Sequence, residues 1–372
     1  MRFRLVIAVL FFSTLFSFIP ATSAQAHEGG VYIASNETTG NRILQFLRDE
    51  HGVLTSAGSF STGGLGTGAG LGNQGGVVLT DDNQWLLVVN AGSNDISVFS
   101  VDSDSNSLQL VDRKASGGQR PVSIAVKNGF VYVLNAGGAV GGADNISGFR
   151  LTGQGQLSPI PGSAAPLSTA NTGPAEIHFG VDNNALFVTE KGTSRIDVFQ
   201  LDDDGATRSS GSFSSTGVEP FGFSVSRIAN AILVSNAAGG AANASSVTSY
   251  RSDGPTLSVL AGPESTNQTA ACWVVTTRSG RFAYTSNTGS GSITGYSIAT
   301  DGTPTLLNSD GITGIAGKSP IDSGLTLGDK FLYVLNTGDH TISGFSVASN
   351  GSLSVTGTTS GLPPASNGLA AR

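Results

Sequence analysis

Residues 331–347 read FLYVLNTGDHTISGFSV: an apolar run closing on Asn336, a Gly-containing turn, then a second β-rich run. The first run shows no clean alternation of polar and apolar residues, so a strand formed from it would be buried on both faces. The same unit recurs along the chain. "VYIASN", "WLLVVN", "FVYVLN", "ALFVTE", "AILVSN" and "FAYTSN" end at Asn36, Asn90, Asn135, Glu190, Asn236 and Asn287. With "FLYVLN" they make seven copies, spaced 45–55 residues apart.

Each copy continues into a run such as "DISVFSV", "RIDVFQL" or "SITGYSI", then an Asp/Asn-Gly turn such as "DDDGA" or "SNGSL". Such turns favour hairpins, because Gly and Asn tolerate positive φ. A third short run follows, and another apolar stretch ("PVSIAV", "PAEIHFGV", "PFGFSV", "ACWVVT") precedes each Asn-terminated run. Four antiparallel strands per unit, repeated seven times, predict an all-β, seven-bladed β-propeller with almost no helix. The chain opens on a second strand, "VYIASN", and closes on "PASNGLAAR" (364–372), the innermost strand of a unit whose second strand is missing. The C-terminal strand is therefore expected to complete the N-terminal blade, closing the ring and removing two exposed sheet edges.

The chain has 372 residues, 52 of them Gly, with 12% charged residues and a formal charge of −7. No basic patch favours nucleic acid. A single cysteine, Cys272, excludes an intramolecular disulfide. Arg2 and Arg4 precede an apolar run from Leu5 to Ile19, and "ATSAQA" follows. This pattern predicts a signal peptide over 1–26 cut before His27, and a secreted or periplasmic propeller over 27–372 with no membrane association after cleavage. A closed ring has no evident need of a partner subunit, so a monomer is expected.

"FLYVLNTGDHTISGFSV", "LFVTEKGTSRIDVFQL" and "ACWVVTTRSGRFAYTSNTGSGSITGYSI" resemble the lactonase-type seven-bladed propellers with YVTN repeats, the group of 6-phosphogluconolactonase and 3-carboxymuconate cyclase. The resemblance spans residues 27–372 and implies lactone chemistry. The phosphogluconolactonase branch carries an Arg-His pair after Gly-Pro on an inner strand. Here the matching stretch is "GPAEIHF", with Ala175 in place of the Arg and Glu176 in place of the His, a change that would repel a phosphosugar.

Aligning the copies puts one residue per blade at the third position of the inner strand: Ser366, Gly76, Ser123, Glu176, Gly222, Trp273 and Asp322. If these face the channel mouth, Trp273, Ser123 and Ser366 are ligand-binding candidates, in an acidic pocket suited to a cation or a hydroxylated ligand; a water-filled channel with incidental acids is the alternative. Glu176 and His178, two apart on one strand, point the same way. With Asp322 they form the candidate catalytic set, against a packed core role for His178. "DSDSNS" (102–107) sets Asp102, Asp104 and Asn106 at alternate positions like the start of a calcium loop, but lacks its Gly and closing Glu and sits where other copies have a hairpin turn. No cofactor is identified from the sequence, although the carboxylates leave room for a divalent metal. Glu190 replaces the recurrent Asn and is expected to bond the same turn amides. The Gly/Ala-rich insertions at 135–145 and 236–246 read as a lip on one face or as loop drift. Two functions follow: an exported scaffold binding a small molecule or protein at the channel mouth, or alternatively a lactonase-family enzyme.

Overall fold

The structure, a computed structural model, describes Met1 and residues 28–103, 106–181 and 184–372. The expected signal peptide, His27 and Asp104 lie outside the described residues. Seven antiparallel sheets follow one another around a ring. Blade 4 shows the plan from channel to rim: Pro174–Phe179, Ala185–Glu190, Arg195–Leu201 and Thr207–Ser214. In blades 3 and 6 the outer strand is split, so two short segments share one neighbour. The helical segments among the described residues are two 3-10 turns, Gly137–Val140 and Ala238–Gly240, each within one of the two Gly/Ala-rich insertions. No helix among the described residues is long and apolar enough to cross a membrane.

The continuous apolar runs become the second strands. Those of blades 1, 4, 5 and 7 are buried at every residue, whereas outer strands such as Leu54–Ser61 are largely exposed. Blades are joined through the aromatic residues of these second strands. Tyr284 Oη donates to Gly351 O at 2.9 Å and Tyr333 Oη to Gly52 O at 2.8 Å; Tyr132 makes the equivalent bond to Gly205. Each acceptor is the turn glycine of the next blade's outer hairpin. Gly52 has φ +83°, and a Cβ on it would stand 2.5 Å from the Phe331 ring. The Asp/Asn-Gly turns thus satisfy two demands: positive φ, and close approach of the neighbouring blade.

The ring closes as the repeat phase requires. Asn367–Ala371 pairs antiparallel with Gly29–Ala34, with Tyr32 opposite Ala370 and Ile33 opposite Leu369. Arg372 extends the closure by a further step. Its amide donates to Gly30 O at 2.9 Å, while its guanidinium reaches Asn106 Oδ1 and the carbonyls of Asp102 and Ser103.

Candidate functional site

The innermost strands share one irregularity. In six of the seven blades a β-bulge falls at the second or third position, between Pro121 and Ser123, Pro174 and Glu176, Pro220 and Phe223, Ala271 and Trp273, Pro320 and Ser323, and opposite Ile33/Ala34 in blade 1. A bulge leaves backbone groups without a ladder partner. Ser123 Oγ accepts the Ile177 amide of the next blade at 3.2 Å, and Glu176 Oε2 accepts the Phe223 amide of the blade after. Ser123 and Glu176 therefore tie the inner strands of blades 3 and 4 each to the next. Ser366, just ahead of its strand, donates instead to Pro363 O at 2.8 Å.

This end of the channel is occupied. The connection into blade 2, GLGTGAGLGNQGG at 64–76, turns inward, and its Asn73 and Gln74 are buried. Gln74 Nε2 donates to Val274 O at 2.8 Å, Gln74 Oε1 accepts the Val274 amide at 3.1 Å, and the Gln74 amide donates to Ala175 O at 3.1 Å. Trp273 Nε1 donates to Asn73 O at 2.7 Å, and Asn73 Nδ2 to Val122 O. Gly75 donates to Asp322 Oδ2 at 3.3 Å and accepts from Ile124 at 2.9 Å. A Cβ on Gly222 would lie 1.9 Å from Gln74 Oε1. A plug from blade 2 thereby meets blades 3 to 7. Lys191 pins its entry, bonding Gly72 O with Nζ 4.6 Å from the centre of the Phe221 ring; burial lowers its pKa to about 8.

The structure does bring Glu176, Asp322, Trp273 and Ser123 together, but beneath the plug and with their polar atoms engaged by backbone groups. Burial raises the Glu176 carboxyl well above its ordinary pKa, an effect its Phe223 bond offsets and the nearby Asp322 adds to. Burial pushes Asp322 up to about 7 against the bonds it accepts. Both acids are suited to holding a proton inside the channel.

His178 lies elsewhere. Two residues along the strand from Glu176, roughly 6.6 Å away, it opens into a cavity of about 670 Å³ at the far end of the inner strands. Thr80, Asp81, Lys127, Arg227, Thr276, Arg278 and Asp329 are among its lining residues. His178 Nδ1 lies 2.6 Å from Phe179 O. A carbonyl only accepts, so Nδ1 carries the hydrogen and the neutral ring keeps its lone pair on Nε2. The ring is exposed to the cavity yet flanked by protein, with Phe223 edge-on at 6.0 Å between centroids. That crowding lowers its pKa; the Phe179 bond raises it, and Lys127 lowers it further. Lys127 Nζ donates to Gly180 O at 2.9 Å and Val181 O at 3.1 Å, fixing the chain just beyond the histidine.

Asn106 and Glu190 are engaged by the scaffold. Asn106 Oδ1 is taken by Arg372, and among the described residues no group of three or more His, Cys, Asp or Glu could hold a metal. Glu190 accepts from Ser168, in the connection that leads from blade 3 into its own blade, and from Thr193 in the turn that follows it.

The sequence profile of the family described as "Lactonase, 7-bladed beta-propeller" matches residues 26–160, 143–257 and 252–366. The chain belongs to the seven-bladed β-propeller lactonase family. No curated protein sequence matches this lactonase-family propeller. Among solved structures, it superposes on a Lactobacillus plantarum protein with a TM-score of 0.71 at 16% identity, covering 93% of this chain and 99% of that one. A Bacteroides uniformis protein described as a candidate 6-phosphogluconolactonase gives 0.69 at 18% identity, covering 91% and 99%. The periplasmic gluconolactonase PpgL of Pseudomonas aeruginosa gives 0.67 at 14%, covering 91% and 98%. At these identities the likeness carries the fold. The stretch where the resemblance expects Arg-His holds Ala175 and Glu176 in this lactonase-family propeller, and it is where the plug docks.

Proposed function

We propose that this protein is an exported lactone hydrolase whose reaction takes place in the His178 cavity and not at the plugged end. Family membership favours the enzyme over a scaffold without chemistry. The observation that carries the location is the neutral His178 ring, its Nδ1–H held by Phe179 O and its Nε2 available, in a cavity within the 300–1,000 Å³ range of small-molecule sites. Export rests on the N-terminal pattern of two arginines, an apolar run and a small-residue cleavage site.

In this reading Nε2 takes a proton from a water molecule as the water oxygen attacks the lactone carbonyl carbon. The tetrahedral oxyanion forms in the field of Lys127, Arg227 and Arg278, which the Asp81 and Asp329 carboxylates partly balance. The ring C–O bond then breaks, the departing alkoxide takes the proton back from the imidazolium, and the product is the open hydroxy acid. Lys127 acts as a positioning residue through the Gly180 and Val181 carbonyls. The test is acid release from gluconolactone, corrected for spontaneous hydrolysis, by wild type and His178→Gln. Turnover unchanged in the variant removes His178 from the mechanism, and no turnover of any lactone by wild type removes the enzyme reading.

A further inference from the structure

Resting on the lactone reading, we infer that the preferred substrate is an aldonolactone carrying a second sugar ring, with that ring seated between blades 2 and 3. The 670 Å³ cavity exceeds what a single hexonolactone ring fills, and a second compartment of about 300 Å³ adjoins it. The two share Thr80, Asp81, Val126 and Lys127 in their linings, so a ligand held against His178 can continue past Asp81 and Lys127 into the smaller space.

The chemistry of the smaller compartment favours a sugar over a phosphate or an acyl chain. Its lining adds Asp82, Gln84 and Asn128, all exposed, beside half-buried Trp85. Carboxylates and amides pair with adjacent hydroxyls, since one accepts and the other both donates and accepts. Asp82 uses Oδ1 for the Thr80 hydroxyl and the Gln84 amide, a turn that sets the Gln84 side chain at the compartment. Lys127 is the one cation in the lining and is committed to backbone carbonyls, which disfavours a phosphate. An indole flanked by hydroxyl-binding groups suits the apolar face of a pyranose.

The experiment compares glucono-1,5-lactone with cellobiono-1,5-lactone on wild type, Gln84→Ala and Trp85→Phe. Blades 3, 6 and 7 carry Phe130, Phe282 and Phe331 at the position of Trp85, each packed on the same kind of turn glycine, so the aromatic replacement keeps the blade contact. The expected result is a higher kcat/KM for the disaccharide lactone. Each variant should cut that value about tenfold, near 1.4 kcal/mol, and leave the monosaccharide value unchanged. Equal kcat/KM for the two lactones, or variants that lower both alike, overturns the inference while the lactone reading stands. Absence of turnover with both, accompanied by calorimetric binding of cellobionate that Gln84→Ala weakens, overturns the lactone reading and keeps the sugar compartment. Neither turnover nor binding overturns both.

Discussion

Gln74 and Val274 stand 200 residues apart, yet the carboxamide of one pairs with both backbone groups of the other at 2.8 and 3.1 Å. A side chain here pairs with the channel-facing edge of an inner strand as a neighbouring strand would. It holds the plug across the channel.

Gln74→Ala leaves the Val274 amide and carbonyl buried without partners, which costs about 1–3 kcal/mol per unsatisfied group. Denaturant unfolding should show a loss of that order with an unchanged m-value. Gly222→Ala should destabilise by a comparable route, since its added methyl occupies the space of Gln74 Oε1. A wild-type midpoint in both variants would mean that the plug carries no stability.

Much of this architecture was legible because blades bury their second strands on both faces: seven apolar runs ending at Asn or Glu can belong to few folds. Closure by 364–372 was legible from repeat phase alone. Aligning the copies also brings Ser123, Glu176, Trp273 and Asp322 to one level of the channel, since the inner strands of their blades share a bulge near that position. Their environment was not legible. Nothing in the spacing shows that GLGNQGG turns into the channel, as its bonds run to Ala175, Trp273, Val274 and Asp322, far along the chain. The one local signal is two adjacent amide side chains between glycine pairs. Glu176 and His178 were grouped by their shared face, but the plug puts one under cover and leaves the other open.

His178→Gln should lower kcat by roughly 10²–10⁴-fold, the usual contribution of a positioned general base. The wild-type kcat/KM should fall on the acid side of a pKa below the ordinary imidazole value, because crowding holds the ring neutral. Lys127→Met removes a charge that lowers this pKa, so the acid limb should move to higher pH. A pH profile unmoved by Lys127→Met would separate the lysine from the histidine.

Removing residues 364–372 takes away the inner strand of blade 1 and the Arg372 bonds to Asn106, Asp102 and Ser103 together. Gly29–Ala34 would then present an unpaired, buried-type edge. The truncated chain should lose its single cooperative thermal transition and self-associate in sedimentation experiments. Arg372→Ala, which keeps the strand pairing, should unfold cooperatively with a small decrease in midpoint. A truncated chain that melts like wild type would show that closure is dispensable.

Asp322 supplies the prediction with the clearest sign. Its folded pKa is raised to about 7 from an ordinary value near 3.8, so the folded chain binds a proton that the unfolded chain releases. The protonated carboxyl still offers an acceptor to the Gly75 and Ser323 amides. This contribution to stability is fully present at low pH, and is lost as pH rises from about 4 through about 7, where the buried carboxylate must form without a cation. Asp322→Asn keeps an acceptor and cannot ionise. Its melting temperature relative to wild type should therefore rise steadily from pH 5 to pH 8, by a margin set by a few kcal/mol. Asp322→Ala, which abandons the Gly75 amide, should fall below wild type at pH 5. If Asp322→Asn lowers the midpoint equally at pH 5 and pH 8, the carboxyl is ionised in the folded protein and the plug is held by a charge instead of a neutral acid.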